Sequence, residues 1–190
     1  MKASLKVENK GVTVPYHAVG IDRDRARSVE AEVCVEESVN LLLNGISLAS
    51  LTITPTELEE FAYGYLVCEG LIRSVREVKA MEIKWPNVNV TVPSFDNDDV
   101  GLWMEIRSSG CVGVKATWNG LDEPLSSAVT VDKDTILYCT GFINELAGNW
   151  KKTGGTHCTI IFDSSGGIVS YAEDIGRHNS MDKAVGKALM

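Results

Sequence analysis

Between Thr153 and Gly186 the chain reads TGGTHCTIIFDSSGGIVSYAEDIGRHNSMDKAVG. Two apolar runs, HCTIIF and IVSYAE, flank the turn-forming string DSSGG, which predicts two strands joined by a tight turn. A helix starting at Asn179 follows, with Met181, Ala184, Val185, Ala188 and Leu189 as its apolar face. If the strands pair as a hairpin, the start of the first lies opposite the end of the second. TGGTH (153–157) and EDIGRHN (173–179) then share one end of a small sheet.

Upstream of this unit the pattern predicts one continuous helix over about 133–152. Ile136, Cys139, Ile143, Leu146 and Trp150 line one face, and Thr153-Gly154-Gly155 is the stop. The first half reads mainly as strands. Apolar runs on both sides of Asn44-Gly45 predict a hairpin. A helix follows, with Thr54 as N-cap, Pro55 at the first helical position and Glu57 completing a capping box. Leu58, Phe61, Ala62, Tyr65 and Leu66 form its buried stripe, and Gly70 its stop. A second hairpin turns at Pro86-Asn87, and LWMEIR (102–107) is a further strand. The stretch KATWNGLDEPLSSAV (115–129) has little period and carries the boundary between two domains, at 1–115 and 132–190, with 116–131 as linker.

Composition narrows the function. The 190 residues carry a formal net charge of −8, which argues against a nucleic-acid polymer as partner. No apolar run of about 18 residues predicts a membrane span, and the N-terminus lacks a signal-peptide core. The expected location is the cytoplasm. The five cysteines are odd in number and widely spaced, so reduced thiols are the better reading than disulfides. No C-x-x-C pair and no H-x-E element supports a metal site.

The two polar strings contain what a nucleotide-like anion needs. Gly154, Gly155 and Gly176 admit close backbone approach. A helix N-terminus offers unpaired N–H groups, and Arg177 a bidentate fork. His157 and His178 can donate, accept or shuttle a proton. The plainer alternative also stands: the glycines only stop a helix, Asn179 only caps one, and Glu173 or Asp174 pairs with Arg177. Two of the chain's three histidines in these strings favours the pocket. Cys111 lies in a Ser/Gly loop, SSGCVG (108–113), where access suits a reactive thiol, although spacing alone favours an inert exposed thiol or a loop residue tucked inwards. Cys34, Cys68, Cys139 and Cys158 read as small buried hydrophobes.

TGGTH followed by EDIGRHNSMDKAVGKAL resembles the formate dehydrogenase accessory sulfurtransferase family, FdhD, which carries G-G-x-H and then E-D-x-G-R-H-N-x-x-D-K. EESVNLLLNGISLASLTITPTELEEFAYGYLVCEGLI (36–72) is similar to the family's N-terminal half. The resemblance implies an α+β or α/β chain in two parts, a strand-rich αβ domain and a cytidine-deaminase-like αβ domain without zinc. It implies a sulfurtransferase with Cys111 as persulfide carrier. Sulfur comes from a cysteine desulfurase and goes to the molybdenum or tungsten bis-guanine-dinucleotide cofactor of formate dehydrogenase or a related enzyme. Gly154, Gly155, Thr156, His157, Asp174, Gly176, Arg177, His178 and Asn179 would form the nucleotide pocket, in a homodimer. Many family members have C-x-x-C in the cysteine loop, where this chain has one cysteine. Most also continue past the equivalent of Leu189, so an incomplete second domain with an exposed sheet edge is expected, and with it oligomerisation or reduced stability. Two alternatives are a cofactor- or guanine-nucleotide-binding chaperone that passes no sulfur, and a small nucleotide hydrolase on a deaminase-like fold.

Overall fold

The computed structural model describes residues 11–95, the backbone of 105–107, and 129–190. Two long strands, β1 (Thr13–Asp22) and β2 (Arg25–Cys34), form a separate antiparallel ribbon. β3 (Glu37–Leu43) and β4 (Ile46–Ile53) then turn at Asn44-Gly45 as the sequence requires, both residues having positive φ. β5 (Ala80–Lys84) and β6 (Asn87–Thr91) make the second hairpin, turning at Trp85-Pro86 rather than one residue later. With β7 (Glu105–Arg107), a strand within the predicted 102–107 run, they form a five-stranded sheet in the order β5-β6-β3-β4-β7. β3 runs parallel to β6, and β4 parallel to β7.

One face of this sheet is apolar by simple alternation: Val39, Leu41 and Leu43 on β3, Ala49, Leu51 and Ile53 on β4, and Val88 and Val90 on β6 are all buried. Helix α1 (Leu58–Cys68) covers it with the predicted stripe of Leu58, Phe61, Ala62, Tyr65 and Leu66. Gly70 takes the left-handed conformation after the helix, where the Leu71 and Ile72 N–H groups bond back to the Leu66 carbonyl. The start of α1 departs from expectation. Glu57, itself left-handed at φ 56°, occupies the N-cap position, and Thr54 is drawn away to partners in the last third of the chain.

The predicted helix over 133–152 is three pieces: α2 (Lys133–Gly141), α3 (Ile143–Leu146) and α4 (Gly148–Thr153). The breaks fall next to Gly141 and Gly148, glycine being a weak helix former. Of the stripe expected along it, only Cys139 is buried, while Ile136, Ile143 and Trp150 are exposed. Gly154 ends α4 in the left-handed conformation, as its position implies. β8 (His157–Phe162) and β9 (Ile168–Asp174) pair antiparallel with His157 opposite Asp174, so the two polar strings do share one end of the hairpin.

Helix α5 (Arg177–Leu189) closes the fold between α1 and the β8–β9 hairpin. Its buried face is only partly the apolar one expected: Ala184 is buried and Val185 half-buried. Met181, Ala188 and Leu189 are exposed, and Asn179, Ser180, Asp182, Lys183, Ala184 and Gly186 are buried. Close approach to α1 is the reason. A Cβ on Gly64 would sit 1.7 Å from the Asp182 carbonyl oxygen, and one on Gly186 would sit 1.8 Å from that of Glu60. Two glycines, one per helix, let the backbones touch where larger apolar side chains would hold them apart. The polar groups on the same face are matched by the hairpin: Ser170 Oγ donates to the Ala184 carbonyl, and Thr159 and Ser180 share a hydrogen bond of 2.8 Å. None of the helices among the described residues is long and apolar enough to cross a membrane.

Candidate functional site

The EDIGRHN string divides by exposure into a frame and a presented edge. Asp174, Gly176 and Asn179 are buried, whereas Arg177 and His178 are exposed at the start of α5. Asp174 is the centre of the frame. Its Oδ2 accepts from the Thr54 N–H at 3.1 Å and from Lys183 Nζ at 2.7 Å. Its Oδ1 accepts from the Gly176 N–H at 2.8 Å and Asn179 Nδ2 at 3.1 Å. Both charges of the Asp174–Lys183 pair are fully buried. Burial pushes the Lys183 ammonium below the usual lysine range, and the Asp174 carboxylate opposes that shift. Lys183 Nζ also donates to the Thr54 carbonyl at 2.9 Å.

Asn179 is therefore not the cap expected of it. Gly176 is the N-cap residue, and Asn179 lies within the first turn of α5, donating from Nδ2 to the Thr52 carbonyl and to Asp174. Gly176 has a steric reason to be glycine: a Cβ there would meet Asn179 Nδ2 at 2.7 Å. The N-cap residue, Gly176, contributes no side-chain cap to the helix, and Arg177 and His178 are exposed at its start.

The TGGTH string is held from two sides. Glu173 accepts from the Asn149 and Trp150 N–H groups at 2.9 Å each and from Thr156 Oγ1 at 3.0 Å, so it caps α4 and fixes the buried Thr156. Neither Glu173 nor Asp174 is ion-paired to Arg177 among the described contacts. Cys34, at the end of β2, donates from Sγ to Thr153 Oγ1 at 3.0 Å. A Cβ on Gly155 would meet that sulfur at 3.1 Å. Gly154, Gly155 and His157 are exposed at this end of the hairpin.

Of the cysteines read as buried, only Cys139 is; Cys34, Cys68 and Cys158 are half-buried. Burial, with Glu173 adding to it, pushes the Cys158 thiol up, which makes it a poor nucleophile near neutral pH. Cys111 and most of the 116–131 linker lie outside the described residues.

Sequence reasoning missed Thr54, Glu173 and Lys183 as framing groups. Glu173 and Lys183 both stand in the E-D-x-G-R-H-N-x-x-D-K string, but spacing does not identify their partners, Asn149, Trp150 and Thr156 for the first and Thr54 for the second.

The same architecture occurs in a formate dehydrogenase accessory protein from Desulfotalea psychrophila. Its crystal structure matches 94% of this chain and 70% of its own, with a TM-score of 0.72 at 21% identity. A model of the FdhD/NarQ family matches residues 34–190, and the chain belongs to that family. It is 30% identical over 168 residues to the sulfur carrier protein FdhD of Methanothermobacter thermautotrophicus, covering 88% of this chain and 66% of that protein. Against the protein of the same name from Picrophilus torridus it is 30% identical over 192 residues, covering 93% and 72%. The chain thus spans about two thirds of the length of these curated relatives.

Proposed function

We propose that this chain is a sulfur carrier for the maturation of formate dehydrogenase or a related molybdenum or tungsten enzyme. Cys111 is the carrier. Its thiolate attacks the outer sulfur of a persulfide on a cysteine desulfurase, a new S–S bond forms on Cys111, and the donor cysteine leaves as a thiolate, with no net oxidation. The acceptor substrate is the bis-guanine-dinucleotide cofactor. Its phosphates and guanine edges are held at the exposed start of α5 by Arg177, His178 and the first N–H groups, with His157, Gly154 and Gly155 alongside. Asp174, Gly176, Asn179 and Thr156 serve that surface from beneath. The helices and hairpin of 133–189 are the described portion of a cytidine-deaminase-like unit. The protein works in the cytoplasm as a homodimer, for which the exposed Val14, Tyr16, Val19 and Ile21 of the β1–β2 ribbon offer apolar surface.

One observation carries the reading. β4 supports both halves of the chemistry. Beyond Leu51 it continues into Thr52–Thr54, which bind the Asp174–Asn179 turn. Leu51 is paired with Arg107 at the end of the parallel strand β7, four residues before Cys111 (111 − 107). Four residues reach at most about 14 Å, so Cys111 lies within that reach of the end of β7, which pairs beside the end of β4 to which the Asp174–Asn179 turn is bonded. The test is restoration of formate dehydrogenase activity in a strain lacking its own sulfur carrier protein. Wild type restores activity and Cys111→Ala does not; full activity with Cys111→Ala contradicts the role.

A second reading, a cofactor-holding chaperone that passes no sulfur, is favoured by one feature. The cysteine loop, SSGCVG (108–113), carries a single cysteine and so no resolving thiol beside the carrier. Activation by Cys111→Ala together with binding of GDP would select it.

A further inference from the structure

Thr54 is fully buried and directs three separate polar groups at one short segment of the C-terminal string. Its N–H donates to Asp174 Oδ2 at 3.1 Å, its Oγ1 accepts from the Ile175 N–H at 3.1 Å, and its carbonyl accepts from Lys183 Nζ at 2.9 Å. Two residues earlier, the Thr52 carbonyl accepts from Asn179 Nδ2 at 2.8 Å. The Asp174–Asn179 turn is thus bonded to the end of β4, a strand of the five-stranded sheet, about 120 residues away in sequence. Among the described residues the hairpin that carries the turn is two-stranded, and such a hairpin is marginal in water on its own. α5 supports the hairpin through Ser170 and Thr159, and the end of β4 bonds the turn itself.

We infer that Thr54 is a positioning residue for the anion-presenting turn. It sets the direction of the exposed α5 start and of Arg177 and His178 from the sheet rather than from the hairpin. Stabilisation of the fold does not require this arrangement. A buried ion pair such as Asp174–Lys183 is weak evidence for stability, because apolar side chains of similar size commonly do as well. Its value lies in fixing one geometry. The inference about Thr54 builds on the proposed anion site for its ligand, but its structural part stands without one.

The experiment uses the full chain without ligand first. Hydrogen exchange of the wild type should place the Ile175 and Gly176 amides in the slow class of β3 and β4. Exchange as fast as the exposed strand residues Val169 and Tyr171 would overturn the inference, whatever the variants do. Thr54→Val keeps the volume and removes only the hydroxyl acceptor, and Thr54→Ser keeps the hydroxyl and loses the methyl. Thr54→Val should speed exchange over 175–179 by about tenfold relative to β3 and β4, the scale of one lost buried hydrogen bond. Thr54→Ser should not. With GDP as probe, affinity should fall about tenfold in Thr54→Val and be retained in Thr54→Ser. Unchanged exchange over 175–179 in a folded Thr54→Val overturns the inference. Altered exchange with no GDP binding even by wild type leaves Thr54 in its role and removes the anion site instead.

Discussion

Gly64→Ala tests the contact that joins the two halves. The added methyl would lie 1.7 Å from the Asp182 carbonyl oxygen, 2.5 Å from its carbonyl carbon and 2.9 Å from the Gly186 nitrogen. All three are backbone atoms of α5, so no rotamer change relieves the clash. The helices must separate by roughly another 1.7 Å to reach an ordinary contact of about 3.4 Å, and the reciprocal approach of Gly186 to Glu60 opens with them. Overpacking alone costs about 1–3 kcal/mol. Separation also stretches the Lys183 bond to Thr54 and the fit of Ala184, so a total of about 4 kcal/mol is expected against a helix-propensity gain of about 1 kcal/mol. A net loss of about 3 kcal/mol corresponds to a fall in Tm of roughly 6–12 °C for a chain of this size. Gly141 provides the control. It ends α2 with nothing within 4 Å of where a Cβ would stand and no positive φ, so Gly141→Ala should leave Tm unchanged or raise it slightly. Thermal unfolding by circular dichroism reads both. Equal Tm values for wild type and Gly64→Ala would refute the account of the α1–α5 approach.

Lys183→Met leaves the Asp174 carboxylate buried without its counter-charge and should cost about 3–5 kcal/mol in urea unfolding. Glu173→Ala strands the Asn149 and Trp150 N–H groups and should lower stability by about 1–3 kcal/mol, with faster amide exchange confined to 148–156. Cys158, its thiol pushed up by burial, holds a smaller thiolate fraction at any pH below its pKa than an ordinary cysteine. Mass mapping of iodoacetamide labelling at pH 8 should therefore find it among the slowest to react, and rates should rise with pH past the ordinary cysteine range. Arg177→Ala should weaken GDP binding about tenfold in calorimetry, at unchanged Tm, because its side chain is exposed.

What the sequence made legible was local. Alternation in β3 and β4, the Asn44-Gly45 turn, the α1 stripe and the hairpin carrying both polar strings follow from period and turn chemistry, which neighbouring residues determine. Non-local terms were not legible. Thr54 looks like an N-cap because Thr-Pro commonly is one, yet its hydroxyl serves Ile175, a partner that spacing cannot reveal. Asn179 likewise looks like a cap, yet it lies within the first turn and donates from Nδ2 to the Thr52 carbonyl and Asp174. The face of α5 is only partly the one periodicity predicts, with Ala184 buried but Met181, Ala188 and Leu189 exposed, because apolar periodicity presumes a partner surface that wants apolar side chains. Here the partner is a helix backbone approached through Gly64, which selects small residues, and a polar junction, which selects Lys183. The candidate site was found by its residue types, while the separation of buried frame from exposed edge needed the fold.

The central claim is sulfur on Cys111, and intact mass spectrometry tests it most directly. The chain is incubated with a cysteine desulfurase and cysteine, as wild type and as Cys111→Ala. The account predicts a gain of one sulfur atom by wild type, reversed by reductant and absent in the variant. A folded wild type that gains nothing, or a variant that gains as much, would contradict it.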